Sequence, residues 1–446
     1  TCLVSRYPDR WILKPEGIAK QGKSDRSTYG ETLFDRAKRI EPGRWHDLVR
    51  RAGGSAYVVR PTAVRENVAR FASALRAHYP AADVSLSYKT NYNAALVAAA
   101  RDAGALSEVV SPTELAYAEH LGVPDAEIIF NGPGKSEEIL RRLIGRDITL
   151  IADSIEELRR LAALRSAGCE IRARLGIRIS PELSFQKGTS RFGIDIRQEE
   201  HRAALRAFVR TGTLPICGIH LHLADDRSPN SYVERLTFLA NTWEGLDIGP
   251  LEFIDCGGGY ASAMPQEVRS QLSYESASLE EYGNVIGRWL ASRFPRQDVQ
   301  FICEPGTGVL SDAGVFVTRV EDVKRVGGRS VAVVDGTYFC INPLRSSVRP
   351  AVLLLKGDPD MRTAEVPAPV DVYGNSCMEI DLLIHQFDAP LGVSDLLVLA
   401  QKGAYASAMA SPFIQGIPAL YTLDDGNEFI AQRPRTDARL LMSLNG

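Results

Sequence analysis

Short apolar runs and stretches of helical period alternate through the middle of this chain. The runs begin near Val84, Leu106, Glu127, Ile148, Ile171, Ile216, Leu251 and Val299. Between them lie segments such as 112–121, 136–144, 154–167 and 199–210, where apolar residues return every three or four positions. A brief apolar run bounded by polar residues reads as a strand, and recurrence at three to four reads as a helix facing a core. Strand–helix units in this succession predict an α/β fold of the (β/α)8 TIM-barrel type. A doubly wound open sheet is the competing arrangement. It usually has fewer strands and carries its glycine-rich turn after the first of them, whereas Gly257-Gly258-Gly259 follows the seventh run here.

The flanks differ in texture. Residues 31–52 read as one helix, with Leu33, Phe34, Ala37 and Ile40 on a face, and Gly53-Gly54 then breaks the pattern. Residues 56–59 read as a strand, and 61–79 as a helix through Val64, Val68, Phe71 and Leu75. Beyond about residue 312 the runs 315–320, 330–334, 351–355, 370–373, 396–400 and 419–423 succeed one another without long helices. They predict a second, mainly antiparallel β domain, which the strand at 56–59 is expected to join. The chain thus divides into an extension with that strand (1–60), a cofactor-binding barrel (61–311) and a C-terminal β domain (312–446). Residues 1–30 read as a polar, flexible lead-in, and 1–20 lack the apolar core of a signal peptide.

Composition narrows the class. Of 446 residues 45% are hydrophobic and 24% charged, with a net charge of −3, which suits a globular enzyme and gives no basic field for nucleic acid. No apolar run approaches the roughly 20 residues that span a bilayer. Seven scattered cysteines, none spaced CxxC, argue against a disulfide framework or zinc site. They favour a reducing compartment, so a cytoplasmic enzyme without membrane partners is expected.

In barrels, chemistry collects where strands end at the C-terminal face. The polar residues at those positions are Lys89, Ser111, Asn131, Asp153, then His220 and His222 (both placed in the sixth strand), the glycines 257–259, and Glu304. A lysine closing an apolar strand is positioned for desolvation, which would lower its pKa and allow a Schiff base. Glycines 257–259 let backbone N–H groups approach a phosphate, although a plain tight turn explains them as well. Gly306-Thr307-Gly308 offers a second cradle. Glu304 ends the apolar strand Phe301-Ile302-Cys303 and so requires a donor or cation, such as a protonated pyridine nitrogen. His222 can stack on a flat ring, or be a satisfied core histidine. Together these groups describe a pyridoxal 5'-phosphate (PLP) site.

The motifs carry a family resemblance. Ser87-Tyr88-Lys89-Thr90-Asn91, Glu108-Val109-Val110-Ser111, Asn131-Gly132-Pro133-Gly134, Gly218-Ile219-His220-Leu221-His222, Asp255-Cys256-Gly257-Gly258-Gly259, Glu304-Pro305-Gly306, Gly374-Asn375-Ser376-Cys377 and Gly403-Ala404-Tyr405 resemble those of the fold-type III PLP-dependent decarboxylases, the diaminopimelate and ornithine decarboxylase family with an alanine racemase-type fold. The resemblance spans about residues 55–424. It implies that Lys89 attaches the cofactor, His222 stacks on its ring, Glu304 pairs with its ring N–H, and Gly258, Gly259, Gly306, Thr307 and Tyr405 surround its phosphate. Cys377 is implied as the proton donor, supplied by the second subunit of a homodimer with shared sites. Asp335 is implied as a reader of an amino-acid substrate; Glu379 or Asp381 is expected to stand in for a missing acidic reader, and Arg345 or Arg349, if one enters the site, to meet a second acidic group on the substrate.

Three residues depart from the family pattern. Asp225 replaces a phosphate-donating serine, Thr307 an arginine, and Met378 an acidic reader of the substrate's distal amine. The expected activity is therefore α-decarboxylation of an amino acid, with a substrate from secondary metabolism rather than diaminopimelate or ornithine. The alternatives are an amino-acid racemase of the same fold, which would set an arginine against the ring nitrogen and use a tyrosine base, and a non-catalytic homologue.

Overall fold

A computed structural model describes residues 31–445 except 275, 345 and 358–363. The lead-in at 1–30 and the candidate Arg345 lie outside the described residues. Strand β1 (Ala56–Val59) precedes the closed barrel. The barrel strands are β2 (Ala82–Ser87), β3 (Leu106–Val109), β4 (Ile128–Phe130), β5 (Thr149–Ala152), β6 (Arg174–Arg178), β7 (Ile216–His220), β8 (Phe253–Asp255) and β9 (Gln300–Cys303). Each pairs in parallel with the next, and β9 closes on β2 through Ala82 opposite Phe301.

Alternation along these strands builds two cores. Ile128, Phe130, Leu150, Ile254 and Phe301 face outward into the large cluster formed with the helices. Their neighbours Ile129, Ile151, Phe253 and Ile302 form a separate cluster, joined by Leu106 and Cys217, that plugs the barrel. Phe253 dominates this plug, and two strands yield to it. A Cβ on Gly176 would meet the Phe253 ring at 2.6 Å, and one on Gly218 would fall inside it. Glycine at both positions is thus a volume requirement.

The remaining strands form the predicted β domain. β10 (Gly314–Val326) and β11 (Arg329–Val334) pair antiparallel. β1 lies between β10, antiparallel, and Ala419–Leu423, parallel, so it joins this sheet as expected. β10 is longer than the run 315–320 because its second half, largely exposed, continues as a ribbon with β11. Leu382–Phe387 and Phe429–Arg433, absent from the sequence reading, are partly exposed terminal strands of the sheet, whose mixed composition hides their period. Residues 31–52 form two helices, Leu33–Ala37 and Pro42–Ala52, because Pro42 disfavours helix at the residue before it and starts a second one. Trp45, Leu48 and Val49 of the second pack with Val58, Val315 and Val317. Among the described residues no helix is long and apolar enough to cross a membrane.

Gly218→Ala should cost about 1–3 kcal/mol, the usual range for overpacking a dense core. Gly245→Ala, in the helix Pro229–Leu246 with nothing within 4 Å of the added methyl, should be neutral or stabilising. Urea midpoints of the two variants measure this, and equal midpoints would contradict the plug.

Candidate active site

The period of two that places Phe253 and Ile302 inside the barrel also places the residues two positions on. Asp255 follows Phe253, Glu304 follows Ile302, Glu108 follows Leu106, Asn131 follows Ile129 and Asp153 follows Ile151. Gly176 and Gly218 are followed by Arg178 and His220 in the same way. One strand step therefore turns an apolar plug into a polar layer at the C-terminal mouth. Glu108, His220 and Asp255 are completely buried and Glu304 is 1% exposed, so the layer is a nearly dry cluster of titratable groups.

Its members engage one another. Asn131 Nδ2 lies 3.2 Å from Glu304 Oε1 and 3.0 Å from His220 Nε2. His222 Nδ1 accepts from Gly258 N–H at 3.0 Å, which fixes the ring, and stands 3.4 Å from Glu304 Oε2. His222 lies two residues beyond the end of β7, not inside the strand. Burial opposes ionisation of Glu304, yet the adjacent rings of His220 and His222 and the charge of Lys89 outweigh it and hold the carboxyl well below its usual range. Burial pushes the His220 imidazole down to about 4. Asp255 is driven well above the carboxylate range, and Glu108 up to about 7, by burial and by the charge of Glu304. One carboxylate of the layer keeps its charge at the expense of its neighbours.

Lys89 closes the layer. Its Nζ is 2.9 and 3.0 Å from the two Glu108 oxygens. Burial acts to lower the pKa of this lysine, but Glu108 and Glu304 reverse the effect and raise it. The expectation of a depressed lysine pKa is thus corrected: the charge of the surrounding carboxylates prevails. Glu108 was not among the sequence candidates, although a carboxylate inside the buried run Ser107-Glu108-Val109 needs a partner and was the available signal. Arg178 and Asp255 were missed for the same reason.

The lysine loop is tied to the β domain. Tyr405 N donates to Thr90 O at 2.8 Å, and Asn91 Nδ2 donates to Gly403 O at 2.8 Å. A Cβ on Gly306 would strike Thr90 Oγ1, so the helix Gly306–Leu310 sits directly against this loop. Tyr405 holds a left-handed backbone, φ 62°, uncommon for a non-glycine residue. Thr307 and Tyr405 line a common cavity.

Other candidates fall elsewhere. Asp225 accepts from Lys187 N–H at 2.8 Å. Ser111 caps the helix Pro112–His120, whereas Asp153 stays in the polar layer and faces Arg178 at 3.5 Å. Asp335 is buried and engaged by Ser55 N–H and by Arg435 at 2.9 Å. Its carboxylate is thus paired within its own chain. Cys377, Met378 and Glu379 are exposed.

The residues present fit PLP. Glu304 Oε2 is buried without a hydrogen-bond partner, as an acceptor for a pyridinium N–H would be before the ring is bound. Gly257 and Gly259 have φ of 62° and 99°, and a Cβ on Gly258 would press on Glu304 O at 2.7 Å and His222 Cε1 at 2.9 Å, so the cradle admits only glycine.

Comparison with known proteins agrees. The family described as pyridoxal-dependent decarboxylase, pyridoxal binding domain, matches residues 63–311. A diaminopimelate decarboxylase of Aquifex aeolicus is 26% identical over 84% of this chain and 87% of its own length. An L-glutamyl acyl-carrier-protein decarboxylase of Niallia circulans is 28% identical over 77% of this chain and 85% of its own. The crystal structure of diaminopimelate decarboxylase from Helicobacter pylori complexed with L-lysine superposes with a TM-score of 0.75, at 22% identity, over 90% of this chain and 98% of that one.

Borohydride reduction of the PLP-loaded protein should fix the cofactor on the peptide containing Lys89. Peptide mapping that places it on another lysine, or on none, would remove Lys89 from this role.

Proposed function

The chain belongs to the pyridoxal-dependent decarboxylase family, PLP-dependent carboxy-lyases of amino acids, and on that premise we propose how its residues divide the reaction and which substrates it disfavours. The observation that carries the proposal is the buried, ionised Glu304 with one oxygen unpartnered, surrounded by His220, His222, Asn131 and Lys89. Bound PLP supplies an electron sink for the pair left on the α-carbon when carbon dioxide departs. Glu304 keeps a proton on the ring nitrogen, which deepens that sink. His222, its Nδ1 held by Gly258, presents its ring to the cofactor. Glycines 257–259, Gly306 and the Tyr405 hydroxyl receive the phosphate. Lys89 would be the attachment point for the cofactor, and Glu108 and Glu304 hold a proton on its Nζ. The racemase alternative calls for an arginine against the ring nitrogen, and a carboxylate occupies that place. A site this fully furnished also disfavours the non-catalytic alternative.

The Cys377 thiol delivers the proton to the α-carbon from a second copy of the chain. Its exposure supports this, and the exposed apolar residues Met378 and Ile380 adjoin it in the sequence. Mixing Lys89→Ala with Cys377→Ala, each inactive alone, should restore about a quarter of wild-type activity once subunits exchange, since half the dimers are mixed and each carries one intact site. No recovery after demonstrated exchange would place each site within one chain.

The substrate lacks the distal amine of diaminopimelate and ornithine. Met378 offers no charge to such an amine, Asp335 is engaged by Arg435, and Thr307 replaces a cation. Charged contacts discriminate most strongly when lost. The Niallia circulans relative, named for a glutamyl group on a carrier protein, supports variation of the substrate within the family. Turnover of both standard substrates should be slow while cofactor loading is normal. A kcat/KM above roughly 10⁴ M⁻¹s⁻¹ on either one, the lower end of the efficient range, would overturn this.

A further inference from the structure

The helix Pro229–Leu246 carries a cation that the site described above does not use. Arg235 is completely buried, yet among the described residues no carboxylate pairs with it. The acidic side chains near it in sequence are engaged elsewhere: Asp226 accepts from Ser228 N–H at 2.6 Å, and Glu234 from Ser184 N–H at 2.6 Å. The guanidinium donates instead to three backbone carbonyls. Its Nη1 meets Leu223 O at 2.7 Å and Gly258 O at 3.2 Å, and its Nη2 meets Asp226 O, with Ser231 Oγ at 3.4 Å. It rests on the Tyr232 ring, 4.2 Å from the centroid, and its Nε finds no acceptor. A buried charge without a counter-ion is costly unless an anion shares its surroundings.

What Arg235 holds is the glycine turn after β8. Gly258 O accepts from both Arg235 Nη1 and the Tyr232 hydroxyl, each at 3.2 Å. In a planar trans peptide the N–H points opposite to the C=O. Fixing Gly258 O against the helix therefore turns the Gly259 N–H away from it. The donors of the turn are shared out unequally. Gly257 N–H goes to Asp255 Oδ1 at 2.9 Å, and Gly258 N–H to His222 Nδ1 at 3.0 Å. Gly259 N–H has no partner among the described residues. The charge lies close behind it, since a Cβ on Gly259 would stand 3.3 Å from Arg235 Nη1.

We propose that Arg235 is a positioning residue for the cofactor's phosphate. It aims the Gly258–Gly259 peptide so that the Gly259 N–H is the open donor of the cradle, and it sets a full positive charge behind that donor. The inference rests on the reading of this site as a PLP site. Thr307, in the second glycine segment, brings a hydroxyl and no charge. Arg235 makes up for this from within the fold. Enclosed by Leu223, Asp226 and Gly258, it acts on the phosphate through a peptide group rather than by contact.

The test compares PLP with pyridoxal, which has the same ring and aldehyde but no phosphate, by absorbance titration of the full chain stripped of cofactor. Arg235→Met removes the charge and the donors while keeping much of the bulk. It should bind PLP at least tenfold more weakly than the wild type, and pyridoxal within about threefold of it. Arg235→Lys, which keeps the charge, should recover part of the loss. The second arm needs no variant. In the wild-type holoenzyme the phosphorus NMR resonance of bound PLP should keep its dianion position down to about pH 5, whereas a free phosphate monoester takes up a proton near about 6. A resonance that titrates near the free value overturns the proposal, even where Arg235→Met fails to fold. Equal weakening of PLP and pyridoxal overturns it too, because Arg235 then only supports the fold. A wild type that binds neither ligand removes the cofactor site and the proposal together. PLP bound equally tightly by wild type and Arg235→Met removes the proposal alone.

Discussion

The site is arranged around one costly requirement, an ionised carboxylate with almost no access to water. Removing a carboxylate from water costs several kcal/mol even after relaxation. Glu304 recovers this from groups on separate barrel strands and the segments that follow them: Asn131 after β4, His220 on β7, His222 beyond it, and Lys89 after β2. Those groups can converge only if the barrel closes in register, so the electrostatics of the site and the completeness of the fold are one condition. The same charge accounts for its neighbours, since Glu108 and Asp255 are driven toward neutrality.

A second constraint joins the two domains. The loop that carries Lys89 is hydrogen-bonded to Gly403 and Tyr405, so this lysine and the cavity beyond Tyr405 share one mechanical support. Gly306 makes this possible by letting a helix approach Thr90 without a side chain between them. The lysine is positioned by the β domain as much as by its own strand.

Much of this was legible from the chain alone, for a physical reason. Buried strands in a barrel are short, apolar and sharply ended, so their starts and polar ends stand out, and Lys89, Asn131, Asp153, His220 and Glu304 could be named from them. Glu108, Asp255 and Arg178 were harder because they sit within or at the edge of apolar segments, where a charged residue breaks the pattern without announcing a role. The pKa of Lys89 was misjudged because burial can be read along one strand, whereas the carboxylates that overrule it arrive from other strands. The terminal strands Leu382–Phe387 and Phe429–Arg433 escaped because half-exposed strands need no continuous apolar run. The pairing of Asp335 with Arg435 joins residues 100 positions apart, which no local pattern encodes.

The alternation that sets Asp255 above Phe253, and His220 above Gly218, has a bearing on how such a protein can change over time. A single inserted or deleted residue within a barrel strand would turn its plug outward and its reactive group into the helices, so those strands tolerate exchange of side chains but not of length. The largely exposed loop residues 346–349 carry no such parity. New specificities can be tried there by insertion, deletion or charge reversal, away from the hydrogen bonds that tie Gly403 and Tyr405 to the lysine loop, and a library built for this scaffold would place its length variation in that loop.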